Sequence, residues 1–347
     1  MTLYSSSQRT AYGFIAGVIA LYWMVSISLV FFNKHILSGA FGHNDLTIFS
    51  AWYQSICAVG FVLFLGAMSK QPNLGIRIPT IDFSLLLSSD MLMLSFSFAL
   101  SLVFNNLMLK HINVAFYQVA RSVTIIFTIL MSACMLRKKI SFQAGIACLI
   151  IITGFVIGID QEDVSGTLSV FGIIYGVLAS FMSAVCGIYF KKVETLLEGE
   201  SLKLAYFNNL NSVLIFLPLV ISSGQVQSVF SSDIAFQPKF WLLLTLTGLL
   251  SLSIGWVSAL QIKYTSPVTH HISINAKSVT QTLIAVLIYQ ESKTFLWWLG
   301  NGLVIIGVLF YVYAKIQEEK LNQSKETLLM TDSNGYIKGS IKEHPEH

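Results

Sequence analysis

The chain has 347 residues, of which 54% are hydrophobic and only 11% are charged, and its mean hydropathy is +0.71. Soluble domains carry about a quarter charged residues, so this composition excludes a soluble globular protein. The formal net charge of +4 is small, and no basic patch with interleaved aromatic residues is present, which argues against a nucleic-acid partner. The composition therefore indicates a protein embedded in the lipid bilayer.

The four cysteines lie inside apolar runs, without the spacing of metal ligands, and we interpret them as packing residues. The sequence indicates no resident metal and no cofactor. The first apolar run is too long for the hydrophobic part of a signal peptide, and no clean cleavage site follows it. We therefore interpret this run as a retained first membrane helix.

A membrane-spanning helix needs about 20 consecutive, mostly apolar residues, and ten segments meet that requirement. The predicted spans are 11–33, 46–68, 86–109, 113–136, 141–159, 168–190, 204–222, 240–262, 267–289 and 294–314. The sequence therefore predicts an all-α membrane protein with ten transmembrane helices. The chain turns polar at Lys315, and we expect the tail beyond a helical start to be mostly disordered.

Lys and Arg residues are distributed unequally between the two sides of a ten-span protein. With the N-terminus in the cytosol, 15 of the 21 lie on the cytosolic side, four lie on the other side, and Arg121 and Lys277 lie within spans. Cytosolic loops are enriched in these residues, so both termini are expected in the cytosol. The acidic segment DQEDV (160–164) then forms a loop on the far side, and the sequon at Asn322 should be unglycosylated.

The two halves of the chain resemble each other at an offset near 155 residues. The clearest pairs are GVIALYWMVSISLVFF (17–32) with GVLASFMSAVCGIYF (176–190), WYQS (52–55) with YFNN (206–209), LMLK (107–110) with LQIK (260–263), and ARSVT (120–124) with AKSVT (276–280). A repeat with an odd number of spans must lie upside down in its second copy. The chain is therefore predicted to form two inverted five-helix repeats, with a substrate site near the midplane between them.

This repeat predicts five regions along the chain. They are a cytosolic N-terminus (1–10), the first repeat (11–160), an acidic luminal loop (161–165), the second repeat (166–315) and a cytosolic tail (316–347).

Arg121 and Lys277 occupy equivalent positions in the two repeats. A charge at the centre of a spanning helix costs about 2.5–3.5 kcal/mol on insertion scales, so such charges usually have a function. No carboxylate within the spans is placed to pair with them, except Asp90 near the start of the third span. An anionic substrate in a hydrated cavity would compensate both charges, and a diphosphate fits best. Alternatively, both side chains are structural anchors that bond backbone carbonyls.

Polar residues at three- and four-residue steps form a stripe on one face of the fourth and of the ninth span. The stripes are Tyr117, Arg121, Thr124 and Thr128, and His270, Ser273, Lys277 and Gln281. Such a stripe faces a cavity or another helix. A role of His270 in proton coupling is an alternative to its lying at the helix entrance.

Tyr206, Phe207, Asn208 and Asn209 are consecutive near the start of the seventh span. Adjacent asparagine amides offer paired donors and acceptors that suit the edge of a nucleobase, and the neighbouring aromatic rings can stack on it. Asparagine also bonds between helices in membranes, and spacing alone does not separate these two interpretations.

Over residues 15–315 the chain resembles the nucleotide-sugar transporters of the drug/metabolite transporter superfamily, and most closely the branch that carries GDP-fucose. The most specific segments are LYWMVSISLVFFNKHIL (21–37), FNNLMLKHINVAFYQVARSVT (104–124), GIDQEDVSGTLSVFG (158–172), LQIKYTSPVTHHIS (260–273) and ESKTFLWW (291–298). This resemblance implies import of GDP-fucose into the Golgi in exchange for GMP, by a transporter rather than an enzyme.

The resemblance also implies residue roles. Transporters of GDP-sugars have an FYNN motif that contacts guanine, and here Tyr206 and Phe207 are exchanged while both asparagines are kept. The GDP-mannose branch has a GALNK motif, which here is the segment from Ser273 through Asn275 to Lys277, with only the lysine kept in place. The difference argues against GDP-mannose.

Several alternatives remain open. Another nucleotide-sugar or a sugar phosphate could be the substrate. The chain could instead be a membrane enzyme, such as an acyl- or glycosyltransferase, or a sensor or scaffold that does not transport. A homodimer is an open alternative to a monomer.

Overall fold

The computed structural model describes residues 2–42, 44–68, 82–137, 140–197, 200–265 and 267–340, and within these ranges it is helical without strands. The helices are α1 (Thr2–Leu37), α2 (Thr47–Met68), α3 (Phe83–Leu86), α4 (Ser89–His111), α5 (Val114–Leu136), α6 (Phe142–Val164), α7 (Val170–Leu196), α8 (Ser201–Ser222), α9 (Gln225–Phe230), α10 (Pro238–Tyr264), α11 (Pro267–Tyr289) and α12 (Phe295–Ser340). A short 3-10 helix, Asp233–Phe236, precedes α10.

Ten of these helices are long and apolar enough to cross a membrane, and only the short helices α3 and α9 are not. Their hydrophobic windows have mean hydropathies from 1.2 to 2.3. A helix satisfies its own backbone hydrogen bonds, which is what permits it to lie in lipid. The prediction of an all-α protein with ten transmembrane helices is confirmed, and the chain is a multi-pass membrane protein.

Local sequence explains where several of these helices begin. Ser88, Ser141 and Ser169 precede α4, α6 and α7, and each side chain accepts a hydrogen bond from a backbone N–H of the first turn. Those N–H groups have no partner within the helix, so a serine at this position stabilises the helix start. Pro238 is the first residue of α10, where its missing N–H costs no hydrogen bond.

An even number of spans leaves both chain ends on the same side of the membrane. We call this side the terminal face and the other side the opposite face. The helices α1, α4 and α6 then end at the opposite face, where α12 begins, whereas α7 and α10 end at the terminal face.

The helices of the first half pack mainly on helices of the second half. α1 packs on α10 and α4 packs on α7, while α2, α5 and α6 contact α8, α11 and α12 respectively. This pairing is not symmetric throughout, because α5 packs extensively on α7 whereas α11 and α1 touch only slightly.

The pair formed by α6 and α12 also joins the halves closely, because glycines bring the two backbones together. A Cβ atom on Gly154 would lie 2.6 Å from the carbonyl oxygen of Gly300, and one on Gly307 would lie 2.7 Å from a side-chain carbon of Ile151. Small residues permit this approach of membrane helices, and close packing is what holds such helices together in lipid.

The acidic segment 160–164 is not a loop, contrary to the prediction. It forms the last turn of α6, where Glu162 is only 2% exposed. The carboxylate of Glu162 accepts hydrogen bonds from Lys293 Nζ at 2.6 Å and Trp297 Nε1 at 2.8 Å, and Thr167 Oγ1 also lies against it. The acidic side chain therefore needs no water, because it is paired inside the protein.

The polar tail also differs from the prediction, because α12 continues from Phe295 to Ser340. The first polar turns contain Lys, Gln and Glu, which are strong helix formers, and Lys315 pairs with Glu318 at 3.1 Å. Helix propensity thus continues the spanning helix beyond its apolar part. The sequon at Asn322 falls in this extension.

Two clusters of buried apolar side chains differ in which helices they join. The cluster toward the opposite face includes residues of α1, α2, α4, α5, α10, α11 and α12, among them Ile36, Phe49, Ile112, Phe240 and Trp297. The described buried members of the cluster toward the terminal face come from α2, α3, α4, α7 and α8 and from Leu197, which follows α7. Among the described residues, apolar packing at the opposite face therefore joins more helices than it does at the terminal face.

Asp45 and Lys110 form an ion pair at the opposite face, with 3.1 Å between Nζ and the carboxylate. Burial alone would raise the pKa of Asp45, but hydrogen bonds from Thr47 and the contact with Lys110 outweigh it and hold that pKa below its ordinary value. The charged form of Asp45 is thus favoured here.

Candidate functional site

Lys277 lies in the middle of α11 and is only 5% exposed. Its Nζ donates a hydrogen bond to Ser26 Oγ on α1 at 2.9 Å. Among the described residues no carboxylate forms an ion pair with it. A buried ammonium that is bonded to only one hydroxyl retains donors for an anion.

The same face of α11 contacts α1 one turn earlier. Trp23 Nε1 donates to Ser273 Oγ at 2.8 Å, and both Ser273 and Lys277 are buried. His270 continues this face, with its ring 5.1 Å from that of Tyr22 and its Nδ1 2.9 Å from Gln261 Oε1. The contacts with Tyr22 and Gln261 place His270 in packed protein, and its role in proton coupling stays a prediction.

Gln281 lies one turn beyond Lys277 and is fully buried. Neither its amide nitrogen nor its amide oxygen has a hydrogen-bond partner among the described residues. Asn275 is half-buried and lies away from this stripe, since two residues turn a helix by about 200°. The structure therefore groups Ser273, Lys277 and Gln281, and separates Asn275 from them.

Arg121 on α5 is exposed, and its guanidinium carbon lies 5.7 Å from the centroid of the Tyr117 ring, close enough for a cation–π contact. Tyr117 is buried, and its hydroxyl is 3.4 Å from Asn105 Oδ1 on α4. Arg121 is also near enough to Lys277 for the two like charges to interact. Like charges repel, so an anion near both would lower the electrostatic energy of this pair.

The aromatic residues of α8 lie inside the protein. Phe207 is completely buried and Tyr206 is 4% exposed, and both belong to the apolar cluster that contains Met91 and Val193. In this conformation neither ring presents a face to a ligand. Their role in stacking on a base stays a prediction.

The two asparagines differ in what they bind. Asn209 Nδ2 donates to the carbonyl of Ala205 at 2.8 Å, within its own helix. Asn208 is 6% exposed, and its Oδ1 has no partner among the described residues. A buried acceptor without a donor costs about 1–3 kcal/mol, so Asn208 is the better candidate for a contact with a ligand.

The structure thus brings the predicted residues into two groups. Lys277, Ser273 and Gln281 lie on α11 with Arg121 and Tyr117 nearby, whereas Tyr206 to Asn209 lie on α8 against α2, α4 and α7.

Trp23 and Ser26 of α1 meet this site and were not predicted from the sequence. They are three residues apart and share a face of α1, but no local signal distinguishes them from other residues of a membrane helix. Gln118 was also not predicted; it accepts a hydrogen bond from Ser278 at 3.3 Å and joins α5 to α11.

Comparison with known proteins gives concordant matches. The model of the Triose-phosphate Transporter family matches residues 14–312. "GDP-fucose transporter 1" of Monosiga brevicollis is 41% identical over 312 residues, which cover 90% of this chain and 93% of that protein. "GDP-fucose transporter, Golgi" of Drosophila melanogaster is 35% identical and covers 89% of this chain and 92% of its own length.

A solved crystal structure matches with a TM-score of 0.52 and 14% identity, over 87% of this chain and 99% of the other, which supports the fold alone. The match of the family model to most of the chain, together with the identity to curated transporters, establishes the family. This chain belongs to the Triose-phosphate Transporter family of the drug/metabolite transporter superfamily, and it is a transporter rather than an enzyme.

Proposed function

We propose that this chain carries GDP-fucose from the cytosol into the Golgi lumen in exchange for GMP. The observation that supports an anionic substrate is Lys277, a buried cation near the like-charged Arg121 with no carboxylate partner among the described residues. The relatives named for GDP-fucose support the identity of the substrate, and the Drosophila relative named for the Golgi supports the compartment.

In this proposal Lys277, with Arg121, holds the diphosphate, and Asn208 with Asn209 binds the guanine base. Charge-assisted hydrogen bonds to phosphate are about twice as strong as neutral ones, so Lys277 contributes most of the affinity. The unpartnered oxygen of Asn208 is an acceptor that the N–H groups of guanine can satisfy.

Transport by alternating access requires two related halves, and we propose that the two five-helix halves are inverted repeats. The packing of α1 on α10 and of α4 on α7 supports this, because an exchange of equivalent helices converts one pair into the other. The excess of Lys and Arg on the terminal face supports a cytosolic location of both chain ends.

A ligand can shift the transporter between its two states only through a difference in affinity. The bound anion neutralises the repulsion between Arg121 and Lys277, which permits the helices that carry them to approach. An empty transporter retains that repulsion, which favours exchange over net transport.

Purified full-length protein in liposomes loaded with GMP tests the proposal. Uptake of labelled GDP-fucose is expected to depend on internal GMP, and GDP-mannose, UDP-galactose and triose phosphate should compete weakly. Uptake that does not depend on internal GMP would refute the exchange, and equal competition by UDP-galactose would refute recognition of guanine.

A sugar phosphate is the second candidate substrate, and the match to the model of the Triose-phosphate Transporter family favours it. Lys277 and Arg121 suit a phosphate monoester as well as a diphosphate. Uptake of labelled triose phosphate into liposomes loaded with phosphate, without competition by GDP-fucose, would establish this alternative.

A further inference from the structure

Lys34 connects the end of α1 to the end of α4 at the opposite face. Its Nζ donates hydrogen bonds to the carbonyl oxygens of Leu109 at 2.7 Å and Ile112 at 2.8 Å. The carbonyls of the last turn of a helix lack partners within it and carry a partial negative charge. Lys34 therefore satisfies two of them and holds α1 against α4.

This contact lies within the closed part of the protein. Leu109 and Ile112 are 3% exposed, and they belong to the apolar cluster that joins α10 and α12 to helices of the first half, including α1. Separating the opposite face would therefore have to break the bonds of Lys34 as well as the apolar contacts.

The second half of the sequence contains counterparts of both partners. The segment 17–32, which ends two residues before Lys34, resembles the segment 176–190, which ends two residues before Lys192. The resemblance of LMLK to LQIK likewise makes the end of α10 the counterpart of the end of α4. Lys192 at the end of α7 is thus equivalent to Lys34, at the terminal face instead of the opposite face.

Lys192 makes a different bond from that of its counterpart. Its Nζ donates to Asp90 Oδ1 at 2.7 Å, at the start of α4, and its side chain is 58% exposed. An exposed ion pair of this kind contributes little to stability, so Lys192 can readily exchange Asp90 for another partner.

We propose that Lys34 and Lys192 are alternating locks of the two faces of the transporter. Lys34 binds the carbonyl end of α4 and closes the opposite face in the state seen here. In the other state Lys34 releases α4, and Lys192 leaves Asp90 and binds the carbonyl end of α10, which closes the terminal face. This inference rests on the proposed alternating access, because exchanging the conformations of inverted repeats is what generates the second state.

Distances between spin labels at both faces test this proposal without any substrate. The four native cysteines are replaced by alanine in the full-length chain in nanodiscs. One label pair at His35→Cys and His111→Cys reports on the opposite face, and another at Thr195→Cys and Ile262→Cys reports on the terminal face. Double electron–electron resonance then gives the populations of short and long distances for each pair.

The two lysines are expected to have opposite effects although both substitutions remove the same charge. Lys34→Met should raise the ratio of opposite-face-open to opposite-face-closed molecules about tenfold or more, because two charge-assisted hydrogen bonds are lost. The terminal-face pair should shorten at the same time. Lys192→Met should lower that ratio, because Lys192 locks only the state in which the opposite face is open.

Further variants keep the result interpretable. Lys34→Arg retains the charge and the donors and should keep the wild-type distances, which separates loss of the lock from misfolding. Asp90→Asn frees Lys192 and should shift the populations in the same direction as Lys34→Met. Lys315→Met, which removes a cation paired within its own helix, should change neither distance.

Shifts in the same direction for Lys34→Met and Lys192→Met would overturn the proposal, as would unchanged distances in both variants. These outcomes leave the proposed function standing if the wild-type protein exchanges GDP-fucose for GMP in liposomes. Failure of that exchange in the wild type would instead refute the proposed function, whatever the distances show.

Discussion

The substitution Lys277→Gln removes one positive charge from the interior of α11 while keeping a side chain of similar length that can still bond Ser26. Lys277 is only 5% exposed, and no described carboxylate pairs with its ammonium group. Insertion scales assign about 2.5–3.5 kcal/mol to a lysine at a helix centre. The variant is therefore expected to be at least as stable as the wild type.

Lys277→Gln should nevertheless weaken the binding of an anionic substrate. Truncating one partner of a buried charge pair costs about 2–5 kcal/mol, and the lower figure corresponds to a roughly 30-fold weaker affinity. We expect GDP-fucose to bind Lys277→Gln at least roughly 30-fold more weakly and uptake to fall below detection at substrate concentrations near the wild-type KM.

The assay combines isothermal titration of the detergent-purified protein with uptake into liposomes, and Tm reports on folding. Lys277→Arg keeps the charge but not the geometry, and it should retain part of the binding. Lys110→Gln is the matched control, because it removes a lysine of the same charge from the exposed ion pair with Asp45. Wild-type affinity and uptake in Lys277→Gln, at normal Tm, would refute the assignment of Lys277 to the substrate.

Three further predictions concern packing, base recognition and the buried ion pair. Gly154→Ala should lower Tm, because its Cβ would lie 2.6 Å from a backbone oxygen and overpacking costs about 1–3 kcal/mol, whereas Gly145→Ala in the same helix meets no atom within 4 Å and should not. Equal Tm values for the two variants would contradict the close approach of α6 and α12. Asn208→Ala should reduce the preference for GDP- over UDP-sugars in competition assays, and an unchanged preference would remove Asn208 from the base site. Glu162→Gln should lower Tm because it removes one of the two carboxylates that pair with the buried Lys293, and Lys293→Met should lower it too because it leaves the buried Glu162 without its cation; an unchanged Tm in both variants would count against this pairing.

The spans could be predicted from sequence because lipid imposes a length and a composition on every helix that crosses it. The ends of the helices were less predictable. Glu162 was expected in an aqueous loop because an acidic side chain normally requires water, and its partner Lys293 lies 131 residues away in the sequence. Such a long-range pair leaves no local pattern.

The candidate site was partly predictable for a similar reason. Lys277 and Gln281 stand out as polar residues in an apolar helix, and the four-residue step places them on one face. Trp23 and Ser26 do not stand out, because tryptophan and serine are common in membrane helices. Burial of Phe207 depends on which helices surround α8, which its own sequence does not reveal.

The contact of Glu162 with Lys293 has a consequence for synthesis of the chain. Ribosomes make the first half before α12 exists, so Glu162 and the glycine face of α6 meet their partners only after the last span has entered the membrane. A chain truncated before Lys293 leaves Glu162 without its cation and exposes the unpacked glycine face of α6 to lipid. We expect such fragments to be recognised by membrane quality control and degraded, even though they retain nine of the spans.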